Sequence, residues 1–257
     1  MGETTKIAWC DHTFNPWIGC TRVSPGCLNC YAERQNKLYK WNGGAWGPGT
    51  ERRMTSAANW GKLLQWNRAA VKGGVRRRVF CASLADVFDS EAPTGARKKL
   101  FPILEACQNL EFLLLTKRPE NWLAMLPGSW LLNWPANVRM GFTAENQEWF
   151  EKRLEHAVIL RSRFIVPKVF VSYEPAIGEL SIASPRARLN IDWLICGGES
   201  GPHAVWRSKI ALAVSVTRSI AVRAARRRGL NSGLSAPAKR IASRPFIGTL
   251  AGVRPSG

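Results

Sequence analysis

Residues 111–118 read Glu111-Phe112-Leu113-Leu114-Leu115-Thr116-Lys117-Arg118, a short apolar run that ends in polar and charged residues. Runs of this kind are typical of strands that are buried on both faces of a parallel sheet. Similar runs lie on both sides of it, and from the second run onward they start roughly 25 to 35 residues apart. The six predicted strands are residues 6–9, 79–83, 111–116, 137–142, 168–172 and 191–196.

Segments with helical periodicity separate these runs. Residues 93–107 place Leu100, Ile103 and Leu104 on one face, and residues 145–160 follow the same pattern, with Thr143 or Asn146 as the expected cap. A further helix is predicted over residues 56–71, inside the long connection between the first two strands. A strand, a crossover helix and two loops need about this spacing. The sequence therefore predicts an α/β fold, either an open barrel or a doubly wound sheet.

Polar residues follow nearly every predicted strand. In both candidate folds the carboxyl ends of the strands carry the chemistry, so these residues are candidates for a pocket. Two of them have ordinary alternatives, since Glu145 could be a first-turn helix residue and Lys117 part of a solvated turn. The pocket candidates are Asp86, Lys117, Glu145, Glu174, Gly197, Gly198 and Glu199.

Three of the seven cysteines, Cys20, Cys27 and Cys30, lie in one short segment with the spacing Cys-x6-Cys-x2-Cys. Two prolines and two glycines in residues 15–31 favour a folded loop there. A loop can wrap three thiolates around an iron–sulfur core and leave one iron open to a substrate or cofactor. The spacing thus predicts a metal centre just after the first strand.

Spacing alone leaves other interpretations open. A structural zinc ion wants four ligands, and Cys10 or His12 could supply the fourth. Unligated buried thiols are a third interpretation, although a Gly/Pro loop is an unusual place for them. The other cysteines lie in strand or helix patterns and are predicted to be core residues; they are Cys81, Cys107 and Cys196.

The charge of +19 is distributed unevenly. Residues 201–257 hold 11 Lys or Arg and no acid, which leaves a net charge of +8 for residues 1–200. We expect a domain over residues 1–203 and an irregular basic tail over residues 204–257. The Arg-, Ala- and Ser-rich text of this tail fits a nucleic-acid arm or the out-of-frame translation of a GC-rich gene, and it lacks the pattern of a packed core.

The first residues carry no apolar signal region, and no stretch reaches the length of a membrane span. We therefore expect a cytoplasmic protein without a membrane partner. Cysteines in a reducing compartment favour metal ligation or buried thiols over disulfides.

Several segments in order and spacing resemble a phage- and prophage-associated family of unknown function, which itself resembles radical-SAM iron–sulfur enzymes. The resemblance covers roughly residues 6–203. The first matching segments are Asp11-His12-Thr13-Phe14-Asn15-Pro16, the cysteine loop, Ser83-Leu84-Ala85-Asp86-Val87-Phe88 and Leu115-Thr116-Lys117-Arg118-Pro119. The later ones are Gly141-Phe142-Thr143-Ala144-Glu145-Asn146-Gln147, Ser172-Tyr173-Glu174-Pro175 and residues 193–201, which contain Gly197-Gly198-Glu199.

The resemblance implies a partial (β/α)6 barrel of the TIM type, with a [4Fe–4S] cluster on Cys20, Cys27 and Cys30. It also implies that S-adenosylmethionine binds the open iron and that the polar strand-end residues bind its methionine and ribose parts. An electron donor such as flavodoxin or ferredoxin would reduce the cluster, and radical chemistry on the substrate would follow. The phage setting and the basic runs 76–78 and 97–99 suggest a substrate related to nucleic acid or nucleotides.

Two features depart from the radical-SAM pattern. The first cysteine gap is six residues instead of three, and Gly197-Gly198-Glu199 follows the sixth strand rather than the second. Two other functions therefore stay open at this point. One is a non-enzymatic zinc protein that binds nucleic acid and uses Cys10 with the three loop cysteines; the other is an inactive, truncated remnant.

Overall fold

The computed structural model describes residues 5–163, 168–197 and 221–224. Within these ranges, seven parallel strands form the main sheet, and a short antiparallel pair lies beside it. The strands are β1 His12–Phe14, β2 Trp17–Ile18, β3 Arg53–Met54, β4 Arg77–Cys81, β5 Leu110–Thr116, β6 Val138–Thr143, β7 Val169–Tyr173, β8 Trp193–Cys196 and β9 Ala221–Ala224.

Helices follow most strands of the main sheet. The two longest have 17 residues each, and two short 3₁₀ segments, Pro25–Cys27 and Pro119–Asn121, lie in loops of the described chain. The α-helices are α1 Tyr31–Tyr39, α2 Ala57–Gly73, α3 Ala96–Ala106, α4 Trp122–Met125, α5 Gly128–Leu132, α6 Gln147–Arg163 and α7 Pro185–Asn190.

The strand order decides between the two predicted architectures. The main sheet runs β1-β4-β5-β6-β7-β8-β9, and every neighbouring pair is parallel. A doubly wound sheet reverses its strand order at a switch point, and this order does not reverse. The fold is therefore a singly wound α/β sheet. Among the described strands β1 and β9 are the two edges, so the sheet is open.

The two faces of the sheet are packed differently. Alternate strand residues such as Phe112 and Met140 join Leu100 of α3 and Leu154 of α6 in one large buried core. The opposite residues face the concave side, where Trp9 closes a small aromatic and aliphatic cluster that contains no helical residue among those described. This second cluster consists of Trp9, Phe80, Leu113, Phe170, Trp193 and Ile195.

The prediction of a first strand over residues 6–9 is wrong. The strand is β1, whose Thr13 pairs with Phe80 of β4, and residues 6–9 precede it as a bend and a turn. The apolar character that suggested a strand has another cause, because the Trp9 ring lies 4.7 Å from that of Phe80 and fills the concave face. The other five predicted strands match β4 to β8 within two residues at each end.

The longer helices begin at side-chain caps that the sequence displays. Ser56 accepts a hydrogen bond from the amide of Asn59 at the start of α2, at 3.3 Å. The Asn146 side chain accepts from the amide of Trp149 at 3.0 Å, which confirms Asn146 as the cap of α6. Because α6 begins at Gln147, Glu145 lies outside the helix, in the connection from β6. Its interpretation as a first-turn helix residue is therefore wrong.

The predicted tail contains one described element. Strand β9 lies within it and pairs in parallel with β8, with Leu194 opposite Val222. The rest of residues 204–257 lies outside the described residues, as do Gly198 and Glu199. The domain boundary after residue 203 stays a prediction. No helix in the described ranges combines the length and the apolar character that crossing a bilayer requires.

Candidate functional site

The cysteine loop, residues 20–30, lies at the carboxyl edge of the main sheet. Gly19 forms a parallel bridge with Ala85, and its amide donates to the Leu84 carbonyl at 3.2 Å, so the loop starts directly beside the end of β4. Gly19 has φ 121°, which disfavours other residues, and a Cβ there would lie 2.9 Å from Cδ of Arg52. The backbone at Gly19 therefore fixes where Cys20 emerges.

Local structure places the other two cysteines. Pro25–Cys27 forms a 3₁₀ turn that leaves Cys27 buried, with its sulfur 3.8 Å from the Ser24 hydroxyl. Cys30 is the residue that precedes α1, and although its side chain makes no capping hydrogen bond, the amides of Ala32 and Glu33 lie near its sulfur. Burial raises the Cys30 pKa, and those amide N–H groups oppose the rise.

Cys20 has a different partner, the buried guanidinium of Arg118. Its Nη1 lies 3.4 Å from the Cys20 sulfur. Burial raises the Cys20 pKa to about 12, the nearby Asp86 carboxylate adds to the rise, and Arg118 opposes it. The free thiol is therefore protonated at neutral pH, and a metal bound there must displace the proton.

Asp86 holds Arg118 in place. One carboxylate oxygen accepts from the Thr116 hydroxyl at 2.7 Å and the Phe88 amide at 2.9 Å. The other accepts from the Lys117 amide at 3.1 Å and Arg118 Nη1 at 3.0 Å. The sequence predicts Asp86 as a cofactor-binding residue, but protein donors occupy both oxygens.

Glu145 anchors the cysteine loop to the connection that follows β6. Its carboxylate accepts from the Ser24 hydroxyl at 2.5 Å and from Arg153 Nη1 at 2.7 Å, and the side chain is fully buried. Gly26 passes directly over it, since a Cβ on Gly26 would clash with Cγ of Glu145. Glu145, also predicted to bind cofactor, thus anchors the loop.

Glu174 lies at the concave side of the same edge, beside Trp9. Ser172 donates to it at 3.0 Å, the Trp9 side chain also donates, and Lys117 is the nearby positive charge. Burial raises the pKa of Glu174 against these three effects. Gly197 leaves room for the carboxylate, because a Cβ there would clash with Oε1. Gly197 therefore lies against the Glu174 carboxylate, with Lys117 as the nearby charge, and their role in binding a cofactor stays a prediction.

The two residues proposed for a fourth zinc ligand lie in different surroundings. His12 stacks on Trp66 of α2 with ring centroids 4.3 Å apart, on the face that packs against the helices. Cys10 packs against the concave cluster, where burial raises its pKa to about 12. In the described part of the chain, no three His, Cys, Asp or Glu side chains are grouped so that they could hold one metal ion.

The donor set nevertheless fits an iron–sulfur cluster. Two sulfurs on one zinc ion lie no more than about 4 Å apart, because each Zn–S bond is about 2.3 Å. In a cubane cluster each thiolate binds a different iron, so the cysteines need not converge on one point. The N–H donor at the Cys20 sulfur is also what a ligating thiolate requires.

Sequence reasoning did not assign roles to several residues that build this site. Arg118 was visible only as one of two basic residues after β5, and Ser24 only as part of a turn-rich loop. Arg153 lies inside α6, and Arg52 inside the long connection. The sequence carried one signal for these partners. Acidic residues follow several of the buried strands, and a buried carboxylate needs a partner.

Comparison with known protein families gives one match. A profile of the family described as "Protein of unknown function (DUF5131)" matches residues 4–216. The chain belongs to this family. The expected membership in a family of unknown function is thereby confirmed, and the phage association stays a prediction. No curated protein matches the chain.

Among solved structures, this DUF5131 member is similar to spore photoproduct lyase. A mutant of that enzyme with bound AdoMet and dinucleoside spore photoproduct matches with a TM-score of 0.45 and 15% identity over 65% of this chain and 46% of that one. A second mutant of the enzyme matches with a TM-score of 0.44 and 14% identity over the same shares. The chain thus spans about half the length of these structures, and the similarity is too low to carry a functional argument.

Proposed function

We propose that this chain is an iron–sulfur protein of the radical-SAM type, built on an incomplete (β/α)6 barrel. Cys20, Cys27 and Cys30 hold a [4Fe–4S] cluster, and S-adenosylmethionine binds beside it at the carboxyl edge of the sheet. One observation carries the proposal. Three cysteines within 11 residues lie on a loop fixed to that edge, and an N–H group of Arg118 already faces the Cys20 sulfur.

In this proposal, Glu174, Lys117 and Gly197 form the cofactor-binding surface. Glu174 holds its proton more strongly than a solvated glutamate because it is buried, and its carboxyl group is held by Ser172 and Trp9. Lys117 provides a cation that suits the cofactor carboxylate. Gly197 keeps the backbone close without a side chain in the way. Gly198 and Glu199 belong to the predicted set and lie outside the described residues.

When bound, the cluster would supply one electron for reductive cleavage of S-adenosylmethionine, and a flavodoxin or ferredoxin would be the electron donor. The protein's own task is to keep water from the site and to hold the loop still. Glu145 does the second by accepting a hydrogen bond from Ser24 while Arg153 donates to Glu145, and Trp9 does the first by filling the concave face near Glu174.

The proposed substrate class is nucleic acid or a nucleotide, and its basis is charge alone. The run 76–78 lies at the amino ends of the strands, opposite the cysteine loop, and its side chains bond Gln108, Asp11 and Glu111. That run therefore serves the fold, and the substrate proposal depends on other basic residues.

Metal analysis after anaerobic purification tests the proposal. We expect a brown protein with about four irons and as many sulfides per chain, which forms 5′-deoxyadenosine from S-adenosylmethionine when dithionite is added. Cys27→Ser should lose the iron, whereas the matched control Cys10→Ser should keep it. A colourless protein with one zinc per chain that is lost in Cys10→Ser would instead establish the four-ligand zinc site.

A further inference from the structure

Arg118 is a buried cation that contacts a candidate cluster ligand. It is 5% exposed and follows β5 by two residues. Its Nη1 donates to Asp86 Oδ2 at 3.0 Å and to the Cys20 sulfur at 3.4 Å, and its Nη2 donates to the Thr21 carbonyl at 2.6 Å. The guanidinium thus spans the start of the cysteine loop.

The position of this guanidinium does not depend on the cysteine. The Arg118 amide donates to the Thr116 hydroxyl at 2.8 Å, and that hydroxyl donates to Asp86 at 2.7 Å. Asp86 is itself fixed by the amides of Phe88 and Lys117. The N–H group that faces the sulfur is therefore held before any metal binds.

The three loop cysteines differ in their hydrogen-bond donors. Amides lie near the Cys30 sulfur, and a hydroxyl lies 3.8 Å from the Cys27 sulfur. Among the described contacts, Cys20 alone of the three has a charged side-chain donor. A charged N–H donor stabilises negative charge on a sulfur more than a neutral one does.

We infer that Arg118 is a positioning residue that makes the iron–sulfur cluster easier to reduce through its hydrogen bond to Cys20. The inference rests on the proposed function. Reduction adds one electron, delivered by the flavodoxin, ferredoxin or dithionite donor, and part of that charge resides on the ligand sulfurs. Hydrogen bonds to the sulfurs and net charge near the cluster set its potential. Asp86 limits the effect because its carboxylate offsets the Arg118 charge.

The test is the reduction potential of the reconstituted protein, measured by a dye-mediated titration followed by EPR. For Arg118→Met we expect about a tenfold loss in the equilibrium constant for reduction, which lowers a one-electron potential by about 59 mV. Asp86→Asn should shift the potential the opposite way, because it leaves the Arg118 charge unbalanced.

Arg52→Met is the matched control. Arg52 is 3% exposed, pairs with Asp89 and donates to the Thr21 hydroxyl, yet none of its described bonds reaches a cysteine sulfur. We expect it to weaken the fold and to shift the potential much less than Arg118→Met does. Equal potentials in wild type and Arg118→Met, or equal shifts in Arg118→Met and Arg52→Met, would show that Arg118 is only structural.

Two further outcomes are separable. If Arg118→Met does not retain iron, Arg118→Lys and Asp86→Asn still test the role of Arg118. The inference requires a smaller fall in the reduction potential for Arg118→Lys and a rise for Asp86→Asn. Unchanged potentials in both would overturn it. A wild-type protein that binds no cluster would contradict the proposed function itself, before any potential is measured.

Discussion

The two ends of the parallel sheet both carry arginine–carboxylate networks, and they differ in burial and in what they hold. At the amino end, Glu111 binds Arg78 and Arg139, whose side chains are 34% and 21% exposed. At the carboxyl end, the pair of Arg153 and Glu145 is almost fully buried and binds the cysteine loop through Ser24.

This difference separates a structural end from a functional one. Buried ion pairs cost desolvation, so they are a poor way to gain stability alone. The amino-end network lies beside Trp193, and the Arg78 guanidinium is 5.2 Å from the centroid of its ring. Each of the two carboxyl-end pairs instead also bonds the cysteine loop, Arg118 at Cys20 and Thr21 and Glu145 at Ser24. We infer that their cost is tolerated because they position that loop.

The largest expected effect is at Glu145. Glu145→Ala leaves Arg153 buried without its partner, and we expect a loss of about 3–5 kcal/mol in the free energy of unfolding, measured by urea denaturation. Ser24 also loses its acceptor, so the thiol of Cys27 should react faster with a disulfide reagent in the folded protein. A loss below about 1 kcal/mol with unchanged thiol reactivity would contradict the anchoring role.

A smaller effect is expected at the other end of the sheet. Glu111→Gln removes a charge whose arginine partners reach water, so we expect a loss of about 1–2 kcal/mol by the same denaturation measurement. The variant should leave the reactivity of the Cys27 thiol unchanged. Faster thiol reaction in this variant would remove the distinction between the two ends.

The pH dependence at Glu174 gives a subtler test. Because burial raises its pKa in the folded state, the folded protein binds the proton more tightly than the unfolded chain does. The contribution of Glu174 to the free energy of unfolding therefore falls as the pH rises from the ordinary pKa of a glutamate through the raised value. Relative to wild type, Glu174→Gln should become progressively more stable over that range. A difference in unfolding free energy that is constant with pH would show that the carboxyl is not held in this way.

The smallest effect is expected at a surface pair. Lys152 and Glu148 lie one turn apart on α6, with side chains 57% and 63% exposed. Lys152→Ala should change the free energy of unfolding by less than about 0.5 kcal/mol, and added salt should reduce even that difference. A larger loss would mean that the exposure of an ion pair does not predict its contribution to stability, and the difference between the two ends of the sheet depends on that relation.

Much of the fold could be read from the sequence, because strands buried on both faces leave continuous apolar runs. The first strand could not, since Trp9 is apolar for a reason unrelated to strand formation, and the real strand, His12–Phe14, has only three residues. Asn146 and Ser56 were readable because capping depends on residues only three apart.

The site was predicted in its members better than in their roles. Position after a strand places Asp86, Glu145 and Glu174 at one edge, and the structure agrees. Which of them faces a ligand depends on partners distant in sequence: Ser24 is 121 residues from Glu145, and Cys20 is 98 residues from Arg118. No local pattern records such pairs. The roles of Gly198 and Glu199 stay predictions.

Mössbauer spectroscopy of the protein reconstituted with ⁵⁷Fe, recorded before and after addition of S-adenosylmethionine, tests the central claim most directly. We expect the spectrum of a [4Fe–4S] cluster in which one iron changes when the cofactor is added, because three cysteines leave one iron open. A spectrum in which no iron responds to the cofactor, or a protein that takes up zinc in place of iron, would contradict it.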